Sequence, residues 1–287
     1  MFFDLIRILS ILVIVFCHIS QVNDYYLNLM GFNPFDDKSL LFNVFYTNFA
    51  TIGVYLLIFV SGAVLEYNYD EILSMNNYLS FELKRLLRLY PAFWCSMIFG
   101  LILVPTLVFN NHLTVIMLQF TGFTAFGGYW GGNINAVSWF IGLIVILYTL
   151  FPFLSKIMKI HPYALMVGVI ILDFGSRYIL NTHHFYLSLS STYSTNIFTG
   201  MDRWLPLCNL AEFCFGIFIV QKGFYPKRIN NSNLIRFLSD LSFYVFLMHH
   251  MILKLSEISL FFYAISVLLL SVMLYFLDER MQVAIRN

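Results

Sequence analysis

The chain has 287 residues, 60% of them hydrophobic and only 11% charged, with a formal net charge of +1. A soluble domain carries about 25% charged residues, so most of this surface is made for lipid and a soluble enzyme is excluded. The near-zero charge, with no basic patch, also excludes nucleic acid as a partner.

The first apolar run, Phe2–Ile19, lacks a basic leader and a small-residue cleavage site, and it reads as a retained span. Within it, DLIRILSILVIVFCH places Asp4, Arg7 and His18 among apolar residues. A charged side chain costs about 2.5–3.5 kcal/mol at the centre of a membrane helix, so it is rarely there without a partner or a task. Arg7 and His18 are eleven positions apart, about 16 Å along a helix and half of a hydrocarbon core of about 30 Å. Two readings of His18 stand: an interfacial histidine bonded to a neighbour, and a general base facing a cavity. Arg7 either pairs with Asp4 at i+3 and snorkels, or serves the same site as His18.

Further runs of spanning length lie at Tyr46–Leu65, Leu89–Phe109, Ala136–Leu154, Pro162–Leu180, Trp204–Val220, Leu238–Leu253 and Ile258–Leu277. The fold class is therefore all-α: a polytopic membrane bundle of about eight helices, forming one integral domain over residues 1–287. The shorter run His112–Phe126, leading into GGYWGGN, suits a re-entrant or interfacial segment.

Ahead of the third span, FELKRLLRLYPAFW puts Arg85 and Arg88 on one helix face beside Lys84. Such guanidinium pairs grip phosphates through forked hydrogen bonds, and they also arise from ordinary positive-inside topology. Tyr90-Pro91 is a signal for the start of a helix. Trp139 opens the fourth span, where tryptophan commonly anchors an interface. In SLSFYVFLMHHMIL, His249 and His250 point to different helix faces, so at most one lines a cavity with His18.

With the N-terminus inside, the inner loops and the C-terminal tail hold Lys84, Arg85, Arg88, Lys156, Lys159, Lys222, Lys227, Arg228, Arg236, Arg280 and Arg286. The outer side holds only Lys38, Arg177, Arg203 and Lys254. This bias puts both termini in the cytoplasm. The long outer segments Ser20–Phe45, Asn110–Asn135 and Asn181–Asp202 are rich in Asn, Tyr, Ser, Thr and Gly. Such surfaces suit carbohydrate and also membrane-interface belts.

The four cysteines sit inside apolar runs as small core residues, with no C-x-x-C pair and no metal-ligand spacing. No phosphate-binding glycine loop, nucleophile elbow or H-E-x-x-H is present. Asp173 and Glu212 are the main intramembrane acids, fewer than an ion-coupled transporter needs.

Taken in order, these segments resemble membrane acyltransferase family 3, which includes polysaccharide O-acetyltransferases. The resemblance runs through the Arg-x10-His first helix, IGVYLLIFVSGAVL, Arg85-x-x-Arg88-x-Tyr90-Pro91, the Trp139 helix ending FPFL, RWLPLCNLAEFCFGIF and SFYVFLMHH. It implies transfer of an acyl group, acetyl by default, from cytosolic acyl-coenzyme A to a hydroxyl of an envelope glycan or its lipid-linked precursor. By position, His18 becomes the catalytic histidine and Arg7 its motif partner. Arg85, Arg88 and Tyr90 become donor contacts, and His249 matches a late family histidine. Asp4, Trp139 and Arg203 complete the polar candidates.

The resemblance implies no permanently bound cofactor. Acyl-coenzyme A is the donor, and the partners are a saccharide acceptor, membrane lipid and polysaccharide-synthesis machinery. The expected location is a bacterial cytoplasmic membrane. Two departures stand out. Many members carry a glutamate in the second turn after the tryptophan, where this chain has Ile144. The family commonly has about ten spans, against about eight here. A glycan-precursor transporter and a non-catalytic assembly component are the competing readings.

Overall fold

The computed structural model of the chain describes residues 2–22, 39–69, 75–103, 113–123, 134–182, 186–188, 194–196, 205–225 and 232–286. It is an all-α membrane bundle, and six of the described helices are long and apolar enough to cross a bilayer. Their crossing stretches are Phe2–Ile19, Thr51–Asn68, Asn77–Leu103, Ser138–Ile160, Pro162–Leu180 and Leu260–Ala284.

Six of the eight expected spans appear among the described residues as helices of that length, and the other two runs form shorter helices. The run Trp204–Val220 opens with a 3-10 turn, Pro206–Asn209, before a helix of 12 residues, Leu210–Gln221. The run Leu238–Leu253 becomes a 16-residue helix, Asn233–Met248, about 24 Å long. Beyond Met248 the backbone tightens into i+3 turns, as Met251 N–H donates to the Met248 carbonyl at 3.2 Å. The short run after His112 forms helix Leu113–Thr121, whose 9 residues rise only about 14 Å.

In chain order the helices are α1 (Phe2–Val22), α2 (Ser39–Asn68), α3 (Met75–Leu103), α4 (Leu113–Thr121), α5 (Ser138–Ile160) and α6 (Pro162–Thr182). An antiparallel strand pair follows, β1 (Tyr186–Ser188) with β2 (Ser194–Asn196), in the register Leu187 opposite Thr195. Then come α7 (Leu210–Gln221), α8 (Asn233–Met248), the single turn α9 (Leu255–Ile258) and α10 (Leu260–Arg286).

Residues 1–57 with 226–287 form one compact unit, and residues 58–225 form a second. In the first unit, α1 buries Ser10, Ile14 and Cys17 while Leu5, Leu9, Leu12 and Phe16 face outward. This is the stripe expected of a lipid-facing helix with 3.6 residues per turn. Likewise α10 buries Tyr263, Val267, Ser271, Leu274 and Asp278 on one face. There the Tyr244 hydroxyl of α8 donates to Asp278 Oδ2 at 2.7 Å, in a buried bond between the two helices. Tyr244→Phe leaves that carboxylate oxygen without its donor. The change should lower stability by about 1–3 kcal/mol, read as an earlier thermal unfolding midpoint in detergent micelles.

In the second unit, α2 and α7 meet backbone to backbone. A Cβ on Gly62 would strike the Phe213 carbonyl, and one on Gly216 would strike the Phe59 carbonyl. Small residues permit this approach in membrane bundles. Helix α3 begins well before the expected start at Leu89, so Pro91 lies inside the helix and not in its first turn. Phe81, Leu89, Ala92 and Phe93 are all buried along α3. That packing outweighs the one backbone hydrogen bond the proline removes. The four cysteines are free thiols, with Cys17, Cys208 and Cys214 buried.

Candidate active site

Helices α1 and α8 of the first unit run parallel and touch at two polar rungs. At the lower rung, Arg7 Nη1 donates to Ser239 Oγ at 3.0 Å, and Ser239 Oγ–H donates to Asp4 Oδ1 at 3.1 Å. Asp4 and Arg7 therefore converge on one serine of α8. At the upper rung, His18 Nδ1 lies 2.8 Å from His249 Nε2. Arg7 and His18 are separated by about 16 Å of helix, and Ser239 and His249 by about 15 Å. The near-equal spacing lets both rungs form together.

The upper rung is enclosed. His249 is fully buried, with 0% exposure, whereas His18 is half-buried. Their rings lie within 10° of one plane, with centroids 5.1 Å apart. His249 Nδ1 is 2.8 Å from the Phe246 carbonyl and 3.2 Å from that of Val245. The Tyr263 hydroxyl donates to the His249 carbonyl at 3.1 Å. Ile252, Leu253, Tyr263 and Val267 form an apolar wall, with Val15 and Ile19 of α1 packed against it.

His250 stands edge-on to His18, at 87° and 5.4 Å between centroids. Both adjacent histidine rings therefore lie against His18. The tight turns after Met248 abandon α-helical spacing, so both rings reach it. Among the described residues no group of three or more His, Cys, Asp or Glu could hold a metal ion.

The arginine pair belongs to the second unit. Arg85 Nη2 donates to the Tyr69 hydroxyl at 2.6 Å, and the guanidinium lies 5.1 Å from the Tyr69 ring centroid and 5.8 Å from that of Phe81. This aromatic clamp uses one donor and fixes the plane of the fork. Arg88 is exposed one turn further along α3. Tyr90 donates to the Thr121 carbonyl at 2.8 Å, and Trp94 Nε1 donates to that of Phe120 at 2.9 Å. Both satisfy carbonyls that the C-terminus of α4 leaves open. Trp139 is half-buried and edge-on to Phe140, and Ile144 is buried at 2% exposure. Arg203 and the glycine-rich GGYWGGN lie outside the described residues.

Ser239, Tyr69 and the edge-on position of His250 carry no signal in the sequence. Ser239 sits 232 positions from Arg7, and only the contact of α1 with α8 makes it a partner. A further polar cluster joins α6 to the 3-10 turn before α7. There Arg177 Nε donates to Asp173 Oδ1 at 2.5 Å, and Arg177 Nη2 also donates to the Cys208 carbonyl.

A family model described as an acyltransferase domain (Acyl_transf_3) matches residues 2–228. No curated protein and no solved structure matches the chain. The matched stretch contains Asp4, Arg7, His18 and the Arg85–Tyr90 element and ends before α8, which supplies Ser239 and His249.

Proposed function

The chain belongs to this acyltransferase-domain family, and on that premise we propose that it acylates a hydroxyl of an envelope glycan or its lipid-linked precursor. Acyl-coenzyme A is the donor, with acetyl as the acyl group, and the setting is a bacterial cytoplasmic membrane with both termini in the cytosol. The observation that carries the reading is His18, held at 2.8 Å by the fully buried His249. An imidazole fixed through one ring nitrogen suits proton removal through the other.

In the proposed reaction His18 takes the proton of the acceptor hydroxyl as its oxygen attacks the thioester carbonyl. The carbon–sulfur bond breaks, and the coenzyme A thiolate leaves with that proton. The products are the O-acyl ester and free coenzyme A. Arg7, bridged to Asp4 by Ser239, supports the same helix pair from its other end. The family match draws on residues of both compact units, which supports one acyltransferase domain over residues 1–287.

Surface glycan from cells with and without the protein tests the reading directly. Esters that appear only with the protein, and depend on acyl-coenzyme A, are the expected result. Movement of a saccharide precursor without esterification would replace it with a transporter.

Arg85 and Arg88 are assigned to the donor's phosphates. The clamped Arg85 presents its remaining N–H donors in a fixed plane, and Arg88 lies exposed beside it. Hydrogen bonds to charged groups contribute about 1.5–3 kcal/mol. Arg85→Ala with Arg88→Ala should therefore raise the donor KM by at least about tenfold, with the acceptor KM unchanged. Unchanged donor kinetics would confine the pair to topology and aromatic packing.

A further inference from the structure

We propose that His249 is a positioning residue that selects the tautomer of His18, receiving a hydrogen bond from His18 Nδ1–H and so placing the basic lone pair on His18 Nε2. The inference rests on His18 being the general base of the proposed acyl transfer. Its argument is one of donors and acceptors. His249 Nδ1 faces two backbone carbonyls, of Phe246 at 2.8 Å and of Val245 at 3.2 Å. Carbonyl oxygens only accept, so Nδ1 must carry the hydrogen.

In neutral His249 the other nitrogen, Nε2, then holds only a lone pair. It lies 2.8 Å from His18 Nδ1, so the hydrogen between the two rings belongs to His18. A neutral His18 protonated at Nδ1 is basic at Nε2 and nowhere else. The chain of bonds thus runs from a backbone carbonyl through two imidazoles to the base nitrogen.

This is the logic by which an orienting partner fixes a catalytic histidine, with an imidazole in the place usually held by a carboxylate. The protein gives the orienter little freedom. The His249 carbonyl accepts from Tyr263 at 3.1 Å, and the ring is fully buried. His250 stands across both rings, at 87° to His18 and 82° to His249, which limits rotation of the pair out of their common plane. When His18 takes the hydroxyl proton on Nε2, its Nδ1–H bond to His249 becomes charge-assisted and tightens. His249 gains and loses no proton in the cycle.

Two experiments test the assignment. The first uses 15N-histidine-labelled protein in lipid bilayers, with His18 and His249 signals identified by their loss in His18→Gln and His249→Gln. A protonated Nδ1 and an unprotonated Nε2 on both residues are expected in the resting protein. A His18 protonated at Nε2, or a doubly protonated His249, would overturn the proposal without reference to activity.

The second is kinetic. His249→Leu should lower kcat about 10²-fold and leave both KM values unchanged. His249→Gln, whose amide oxygen can accept from His18 Nδ1–H, should recover most of that loss. A leucine variant with wild-type kcat, or a glutamine variant as slow as the leucine one, would also overturn it. A wild-type protein that forms no ester would instead bring down the acyl-transfer reading and leave the tautomer result standing.

Discussion

Replacing His18 with alanine should lower ester formation by about 10²–10⁴-fold, the range of general-base assistance by a positioned side chain, while the protein stays in the membrane. The two halves of this expectation have separate physical grounds. Insertion depends on the apolar content of α1, whose Phe2–Ile19 stretch has a mean hydropathy of 2.3. Packing depends on the buried stripe of Ser10, Ile11, Ile14 and Cys17. Neither needs the imidazole.

The structural effect of the change is the loss of one donor to His249 Nε2, about 1–3 kcal/mol for a buried group left unpaired. Its chemical effect is the loss of the proton acceptor. Membrane fractions and purified protein in micelles give the two readouts, amount of folded protein and rate of coenzyme A release with acceptor present. Full activity in folded His18→Ala protein would remove His18 from the mechanism.

The second large effect is on folding. Gly216→Val should destabilise the second unit by about 3 kcal/mol, at the upper end of ordinary overpacking, and deplete folded protein. The Cβ it introduces meets the Phe59 carbonyl and lies 2.7 Å from the Ala63 nitrogen. These are backbone atoms of α2, which cannot turn aside as a side chain does. Gly62 makes the reciprocal approach to Phe213 of α7, so the two helices have no spare distance at either point.

Gly168 and Gly175 of α6 are the controls, since a Cβ at either meets nothing within 4 Å. Alanine there should be neutral or stabilising by about 0.5–1 kcal/mol through the lower backbone entropy of the unfolded chain. Thermal unfolding in micelles separates the cases. Equal midpoints for Gly216→Val and wild type would mean that α2 and α7 are not held this closely.

Much of the helical framework was legible because lipid imposes a local rule: an apolar run of sufficient length must satisfy its backbone within itself. The runs around His18, Trp139 and Leu260 obey that rule and appear as long helices. The rule fails where packing intervenes. Pro91 suggested the start of α3, yet buried Phe81, Phe93 and their neighbours carry the helix through it. The apolar run around Glu212 had the length expected of a span but begins with a 3-10 turn, a backbone choice that hydropathy does not record.

The candidate site divides the same way. The sequence alone determined that His18 and Arg7 lie on one apolar helix about 16 Å apart, because residue spacing on a helix is a local quantity. It also singled out His249, Arg85 and Arg88, through residue types that are costly in such surroundings. Only the tertiary structure decided that Ser239 bridges Asp4 and Arg7, and that His249 and not His250 bonds His18 Nδ1. Those partners are more than 230 positions apart in the chain. Their meeting is a property of how α1 packs on α8, and no local pattern encodes it.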